Sequence, residues 1–186
     1  HLGGIEHIPI HHTNEIAQSQ CANDFPLARF WLHSAFMNVE GEKMSKSLGN
    51  TYRLLDLHER GIPPLAFRYW LLTAHYRTQV NFTLDALAGA QSAYNRLTNF
   101  FNEHTDLGGT PIASYVEMFR EALDDDLNTA HAIALIWTLM KDVGHTTSDK
   151  RATILLFDEV LGLGLSSVQK KISAPLPPII TALLEK

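Results

Sequence analysis

The clearest chemical signal in the sequence is a lysine-rich loop, Lys-Met-Ser-Lys-Ser-Leu-Gly-Asn, over residues 43–50. Lys43 and Lys46 are separated by small residues, and Gly49 lets the backbone approach a ligand closely. Each ammonium group is a compact charge with three donors, so the pair suits a polyphosphate. The pattern predicts a clamp for a leaving pyrophosphate, in which each cation contributes about 100-fold or more to the rate. The alternative interpretation of two lysines at this spacing is an exposed basic turn.

The first fifteen residues are rich in histidine and offer part of a metal site. We expect a helix to begin after His12, with Thr13 or Asn14 as its cap. His11 and Glu15 are four residues apart, which places an imidazole and a carboxylate on one face of that helix. Zinc accepts both ligand types, but the spacing alone favours a hydrogen bond at the helix end over a metal half-site.

A short hairpin is expected to deliver the lysine loop. Residues 36–43 form two short strands around a turn at Gly41, and the loop follows directly. Before the hairpin, Pro26 suits the first turn of a helix, and the apolar run 27–33 is expected to be buried. His33, within this run, is interpreted as a core or hydrogen-bonding residue, with substrate contact as the alternative.

Two further helices are predicted after the loop. The first covers residues 52–60 and is stopped by a glycine, and the second is an apolar helix over 65–74 that two prolines open. The single charge in the second helix, Arg68, must pair or extend towards solvent. Tyr76 and Arg77 follow, either as a packing corner at a domain boundary or as a contact to nucleic acid.

From Thr83 onwards the apolar residues recur every three or four positions, which predicts a helical bundle. The seam of its first helix consists of Leu87, Ala90, Tyr94, Leu97 and Phe101. Further helices are expected over 112–123, 130–143 and 148–161. The second of these is apolar nearly all round and should be central, with Asn128 or Thr129 as its cap, and the third is capped by Ser148. Three aspartates at 124–126 are adjacent rather than convergent, so we interpret them as a loop and not as a cation site.

Composition and charge exclude several classes of protein. The sequence has 186 residues, an apolar fraction of 45% and a formal net charge of −5, which argues against a generally basic nucleic-acid surface. No apolar run approaches the ~20 residues that a membrane span needs, so no membrane association is expected. Cys21 is the single cysteine, so an internal disulfide is impossible and a reducing, cytoplasmic location is expected.

Several of these motifs resemble those of one enzyme family. The octet at 43–50 resembles the KMSKS signature loop of class I aminoacyl-tRNA synthetases. The segment 11–19, His-His-Thr-Asn-Glu-Ile-Ala-Gln-Ser, resembles a segment of the cysteinyl-tRNA synthetases. The opening His-Leu-Gly-Gly, the pattern His-Tyr-Arg to Asn-Phe over 75–82, and the aspartate-rich stretch 124–129 are also similar to that family.

The resemblance runs from His1 to about Leu165 and implies a mainly α fold. Residues 1–82 are expected to be the C-terminal part of a class I nucleotide-binding α/β fold. An antiparallel helical bundle of the tRNA-binding type is expected over 83–165, and a linker with the start of a truncated helix over 166–186.

The same resemblance implies roles for individual residues. Lys43 and Lys46 are expected to neutralise the leaving pyrophosphate, and His11 and Glu15 to bind a zinc ion that recognises the substrate thiolate. The residues expected to bind ATP or the adenylate are His1, Gly3, Gly4, Glu6, Lys43, Met44, Ser45, Lys46 and Ser47. The implied substrates are L-cysteine, ATP with Mg²⁺, and tRNA(Cys). Glu6 departs from the family, in which an aspartate at this position contacts the ribose, and its extra methylene moves the carboxylate.

Some family features are not found in the sequence, namely the HIGH motif that binds ATP and two cysteine zinc ligands. We therefore expect a fragment that neither activates cysteine alone nor binds zinc tightly near neutral pH. Apolar surface left uncovered on residues 27–32 and 65–72 is expected to promote self-association.

Two alternatives to a cysteine–tRNA ligase remain. One is a related ligase of thiol biosynthesis, which joins cysteine to an amino sugar and shares the lysine loop. The run 14–19 favours the tRNA enzyme over it. The other alternative is a non-catalytic tRNA-binding or scaffold module.

Overall fold

The structure is a computed structural model that describes residues 1–45, 47, 49–106 and 108–168. Its α-helices are α1 (Thr13–Asn23), α2 (Leu54–Glu59), α3 (Pro64–Leu72), α4 (Leu84–Glu103), α5 (Ala113–Asp124), α6 (Thr129–Lys141) and α7 (Thr147–Leu161). Its strands are β1 (Leu2–Gly4), β2 (Leu32–Ser34), β3 (Met37–Val39), β4 (Glu42–Lys43) and β5 (Val80–Phe82). The predicted mainly helical fold is confirmed. None of the helices in the described part of the chain is long and apolar enough to cross a membrane. From residue 169 onwards, the helix expected within 166–186 lies outside the described residues.

The strands form two small sheets within the first 82 residues. β1 pairs in parallel with β2, and Leu2 is the register partner of Leu32. β3 lies between β4, with which it is antiparallel, and β5, with which it is parallel. Val39 and Phe82 are register partners and both side chains are buried, so β3 is anchored in the core where the hairpin to β4 begins. The predicted hairpin is confirmed.

The two helices that follow the lysine loop were predicted to within two residues at each end. Arg68, the single charge on α3, pairs as expected: its Nε donates to the Leu161 carbonyl at 2.6 Å. Leu71 on the same helix is 42% exposed, so part of the apolar surface of α3 is uncovered.

The bundle helices bury the apolar residues that the periodicity selected. All five residues of the predicted seam of α4 are buried, and α6 buries Ala132, Ile133, Leu135, Ile136 and Leu139. Phe119 of α5 and Phe157 of α7 stack with ring centroids 4.0 Å apart. The most extensive helix pairs are α3 with α4 and α5 with α6, and one core runs from the hairpin into the bundle. The division of the chain at residue 82 stays a prediction.

The predicted cap of α1 is wrong. The backbone is already helical before Thr13, as a 3₁₀ turn over Ile5–His7 and a π-helical turn over Ile8–His12. The Thr13 hydroxyl donates to the Ile8 carbonyl at 2.7 Å instead of accepting from an amide of the first turn. Neither Thr13 nor Asn14 is therefore the N-cap of α1, a position that His12 occupies.

The predicted cap of α7 is also wrong, whereas that of α6 is confirmed. The Asn128 side chain accepts from the His131 amide at 3.1 Å. At α7 the cap is Thr146, and Ser148 lies inside the helix. The Ser148 hydroxyl donates instead to the Asp106 carboxylate at 2.6 Å, which ties the helix to the connection between α4 and α5.

The segment after Pro26 does not form the predicted buried helix. It has no regular structure until β2, because backbone hydrogen bonds hold it against the start of the chain: the His1 amino group donates to the Phe30 carbonyl and the Leu32 amide to the His1 carbonyl, both at 2.9 Å. Phe30 is 84% and Leu27 43% exposed, so the expected uncovered apolar surface is present. Self-association of the chain stays a prediction.

Candidate active site

Lys43 is the last residue of β4 and is exposed at the start of the lysine loop. The turn before it holds Glu40 and Gly41 in the left-handed region, with φ of 52° and 84°, as two-residue hairpin turns require. The Gly41 amide donates to the Asn81 side-chain oxygen at 2.7 Å, which ties the turn to β5. The hairpin that carries Lys43 is therefore fixed at its tip as well as along its strands.

Asn50 closes the lysine loop through its side-chain amide. The Ser45 amide donates to Asn50 Oδ1 at 2.7 Å, and Asn50 Nδ2 donates to the Lys43 carbonyl at 3.2 Å. The hydroxyls of Ser45 and Ser47 lie 2.7 Å apart. The last residue of the octet thus fixes the backbone on both sides of Met44, a role that the lysine pattern does not indicate.

Met44 connects the loop to the core. It is half-buried and packs against the core cluster. A cavity of about 380 Å³ next to the loop is lined by Phe36, Met37, Asn38, Lys43, Met44 and Gln79. This cavity provides space for a ligand beside the Lys43 side chain. Lys46, the second predicted cation, and Leu48 lie outside the described residues.

Three side chains converge at the start of α1. His1, His12 and Glu15 each place one ligand atom within 4.8 Å of the others. His1 Nε2 lies 2.8 Å from Glu15 Oε2, yet this buried oxygen accepts no well-oriented hydrogen bond from the described residues. Two imidazoles beside a carboxylate with an unsatisfied oxygen fit a divalent cation such as zinc.

The surroundings of His12 favour its neutral form. Its side chain is buried, and burial lowers the pKa of His12, while the negative charge of Glu15 opposes the shift. His12 Nδ1 lies 2.7 Å from His33 Nε2. If Nδ1 donates, Nε2 carries the lone pair that a metal requires. A Cβ at Gly3 would lie 2.9 Å from this Nε2, so glycine allows β1 to pass the ring. His33 is thus a hydrogen-bonding residue, as interpreted from the sequence.

His11 is not part of this group, although the sequence placed it on one face with Glu15. Its ring lies against that of His7, with centroids 5.1 Å apart. The four-residue spacing assumed a regular α-helix, whereas the chain up to His12 is π-helical and changes the angle between successive side chains. The geometry therefore brings His12, and not His11, next to Glu15. The zinc ligand pair implied by the resemblance stays a prediction.

Gly4 and Glu6 lie beside the same cluster. A Cβ at Gly4 would collide with the Glu6 carboxylate, which folds back over the glycine. Glu6 Oε1 also lies 3.5 Å from His7 Nε2. The structure thus brings His1, Gly3, Gly4 and Glu6 together at the first sheet. Only two residues, 35 and 36, separate β2 of that sheet from β3 of the hairpin sheet.

The corner formed by Tyr76 and Arg77 contacts a residue that the sequence interpretation left in a loop. Asp126 accepts hydrogen bonds from the Tyr76 hydroxyl at 2.6 Å and from Arg77 Nε at 2.5 Å. These bonds lower the pKa of Asp126 to about 2, with the Arg77 guanidinium as the main cause. The packing-corner interpretation of Tyr76 and Arg77 is confirmed. The role of Asp126 depends on residues about fifty positions away and leaves no local sequence signal.

Comparison with known proteins identifies two matching regions. Residues 1–92 match the family described as the tRNA synthetases class I (C) catalytic domain. Residues 118–165 match the DALR domain.

Curated relatives match nearly the whole chain. The chain is 40% identical over 185 residues to cysteine–tRNA ligase 1 of Burkholderia lata, and 40% identical over 189 residues to the cysteine–tRNA ligase of Opitutus terrae. These alignments cover 99% and 100% of this chain but 39% and 40% of the relatives. The chain therefore spans about two fifths of the length of these ligases.

Solved structures share the fold at low sequence identity. A leucyl-tRNA synthetase from Agrobacterium radiobacter K84, in a ternary complex with tRNA and LeuAMS, superposes with a TM-score of 0.70 at 17% identity, over 98% of this chain and 29% of that one. The methionyl-tRNA synthetase of Mycobacterium tuberculosis bound by methionyl-adenylate gives a TM-score of 0.60 at 18% identity, over 90% and 43%.

Proposed function

Because this chain belongs to the class I aminoacyl-tRNA synthetases, we propose that it carries part of the site at which cysteine is activated with ATP and transferred to tRNA(Cys). The lysine loop supports this proposal most directly. Its first cation, Lys43, stands on a fixed hairpin beside a cavity, and Asn50 holds the loop backbone. The choice of cysteine as the substrate rests on two relatives. Both are cysteine–tRNA ligases, and their alignments cover nearly the whole of this chain.

In the proposed first step, a carboxylate oxygen of cysteine attacks the α-phosphorus of ATP, cysteinyl-adenylate forms, and pyrophosphate leaves with its Mg²⁺. Lys43 and Lys46 neutralise the charge that collects on the leaving group, so they lower the barrier more than they tighten ground-state binding. In this proposal the adenylate is bordered by His1, Gly3, Gly4 and Glu6, and the phosphates by Met44, Ser45 and Ser47. In the second step a ribose hydroxyl at the tRNA 3′ end attacks the adenylate carbonyl and AMP leaves.

Zinc is proposed as the group that selects cysteine, because it binds a thiolate strongly and favours deprotonation of the thiol. Glu15 is its carboxylate ligand in this proposal. Two neighbouring histidines are candidates for the ligand next to Glu15. The resemblance assigns His11, and the geometry assigns His12. Calorimetric zinc titration of His11→Ala and His12→Ala, made in the protein expressed from the gene that carries this sequence, decides between them, since the variant that lacks the ligand loses binding and the other retains it.

The helical bundle over residues 83–165 is proposed to contact tRNA. The net charge of −5 means that local cations must make the contact. The exposed Arg96 on α4 lies 5.0 Å from the ring centroid of Trp137 on α6. Pairs of this kind can stack on bases while the guanidinium meets phosphate.

The proposal is tested by cysteine-dependent ATP–pyrophosphate exchange, measured on the protein expressed from the gene that carries this sequence. Lys46→Ala should reduce exchange by roughly two to three orders of magnitude with little change in cysteine affinity. Lys43→Ala should also reduce it, whereas Lys141→Ala, at the exposed end of α6, should not. Exchange that is equally sensitive to all three substitutions, or to none, would contradict the assigned role of the loop.

A further inference from the structure

Asp126 connects the bundle to the corner after α3 through several bonds. Its carboxylate accepts from the Tyr76 hydroxyl at 2.6 Å and from both Nε and Nη2 of Arg77, at 2.5 and 3.2 Å. Its backbone carbonyl lies 2.9 Å from His75 Nε2. Arg77 in turn lies over the Tyr76 ring. Three consecutive side chains of residues 1–82, which we call the first region, thus meet one residue of the connection between α5 and α6.

The backbone at this point adopts a conformation that its residues disfavour. Asp126 and Leu127 both have positive φ, at 53° and 56°, and neither is a glycine. Aspartate tolerates the left-handed region better than most residues, but leucine does not. Leu127 is also 47% exposed, so burial of its side chain compensates little. Such a conformation persists where surrounding contacts hold it. Here the Asp126 side-chain bonds add to two local backbone bonds at 2.9 Å, from the Leu127 amide to the Leu123 carbonyl and from the Asn128 amide to the Ala122 carbonyl.

The other polar contacts between the first region and α6–α7 are uncharged or use a backbone acceptor. Trp137 Nε1 donates to the Tyr69 hydroxyl at 2.8 Å, and Arg68 Nε donates to the Leu161 carbonyl. Within residues 1–45, 47, 49–106 and 108–168, Asp126 is the only carboxylate from beyond α4 that pairs with a cation of the first 82 residues.

We propose that Asp126 is a positioning residue that fixes the orientation of helices α5–α7 relative to the hairpin and α3. The α5–α6 connection reaches the first region next to the segment between α3 and β5. β5 pairs with β3, and β4, the hairpin partner of β3, leads into the lysine loop. A shift at Asp126 therefore changes how a ligand held by the bundle is presented to the loop. This functional consequence rests on the proposed function, whereas the orientation itself does not.

The bundle contains a matched control for Asp126. Asp142 accepts a hydrogen bond from the Tyr115 hydroxyl at 2.9 Å, and His145 Nε2 lies 3.7 Å from its carboxylate. At Asp126 the corresponding histidine, His75, lies 3.8 Å away. Both aspartates therefore bind a tyrosine and face a histidine, but every partner of Asp142 belongs to the bundle. Loss of Asp142 perturbs the bundle without touching the contact with the first region.

The test is a distance measurement between the two regions by double electron–electron resonance. Spin labels are attached at Glu59→Cys on α2 and Val160→Cys on α7, in a Cys21→Ser background, because both sites are exposed. Asp126→Asn keeps the tolerance for positive φ and an oxygen for the Tyr76 hydroxyl, so it removes mainly the charge. Asp126→Ala removes every side-chain bond.

We expect the distance distribution to broaden or shift with Asp126→Asn and more so with Asp126→Ala, whereas Asp142→Asn keeps the parent distribution. Unchanged distributions for both Asp126 variants, or an equal change for Asp142→Asn, would overturn the proposal.

Charging of tRNA is measured on the same variants in the protein expressed from its gene. A larger loss of charging than of ATP–pyrophosphate exchange with Asp126→Asn supports the functional consequence, and equal losses overturn it. Absence of charging in the parent contradicts the proposed function and leaves the distance test intact.

Discussion

The glycine that ends α7 provides a quantitative test of how the first region is fastened to the bundle. Gly162 has φ of 63°, and a Cβ built on it would lie 3.0 Å from Arg68 Nη2 and 3.3 Å from Arg68 Cζ. The same guanidinium donates through Nε to the Leu161 carbonyl at 2.6 Å. Gly162→Ala therefore strains the backbone and also displaces the arginine.

The two effects can be estimated separately. Placing an alanine in the left-handed region costs about 1–2 kcal/mol. Loss of a hydrogen bond made by a charged donor costs about 1.5–3 kcal/mol. The free energy of unfolding of Gly162→Ala should therefore fall by about 2.5–5 kcal/mol. Gly61, just after α2, is the control, since it has φ of 78° and no atom within 4 Å of a built Cβ. Gly61→Ala should cost only about 1–2 kcal/mol.

The assay is urea unfolding followed by far-ultraviolet circular dichroism, with free energies taken from midpoints at constant slope. A double-mutant cycle sharpens it: in an Arg68→Ala background the cost of Gly162→Ala should drop to that of the control. If Gly162→Ala and Gly61→Ala destabilise equally, or if the cost is the same with and without Arg68, the described contact does not fasten the regions.

Three further results are expected. Asn50→Ala should speed hydrogen exchange at the Ser45 amide, which the Asn50 side chain otherwise bonds at 2.7 Å, and an unchanged rate would mean that Asn50 does not fix the loop. The pKa of Asp126 is lowered from 3.8 to about 2, so its contribution to stability is complete above about pH 4 and is lost as the pH falls towards 2. Acid unfolding of Asp126→Asn should accordingly lose part of its pH dependence in that window, and an identical profile would refute the pairing. Trp137→Phe should lower the free energy of unfolding by about 1 kcal/mol, since the Tyr69 hydroxyl loses its indole donor, and urea unfolding without a shift in midpoint would contradict that bond.

The helical bundle could be predicted from the sequence because its information is local. Apolar residues at alternating spacings of three and four, from Leu87 to Phe101, select one face of a helix whatever that face packs against, and all of them are buried. The hairpin at Gly41 and the cap at Asn128 are equally local signals. The lysine loop was found for the same reason, since its residue types are contiguous.

The features that were missed depend on contacts between distant residues. Thr146 and Ser148 are both good caps, and the choice between them follows from the loop before α5, whose Asp106 binds Ser148. The apolar run after Pro26 was assigned to a buried helix, because periodicity alone does not show that its backbone forms hydrogen bonds with the backbone of His1.

The histidine cluster and the Asp126 contact show the same limit. His12 replaces His11 beside Glu15 because a π-helical turn precedes α1, and nothing in the local sequence specifies that turn. Asp126 stands in a run of three aspartates with identical local chemistry. Only the fold selects the one that meets Arg77.

The most direct test of the central claim is aminoacylation by the protein expressed from the gene that carries this sequence. Purified tRNA(Cys) is offered with ATP and either cysteine or serine, and charged tRNA is separated on an acid gel. We expect cysteine-dependent charging that Lys46→Ala reduces by roughly two to three orders of magnitude. If the protein consumes cysteine and ATP but transfers the cysteinyl group to an amine and not to tRNA(Cys), or if no cysteine is transferred at all, the assignment as a cysteine–tRNA ligase is contradicted.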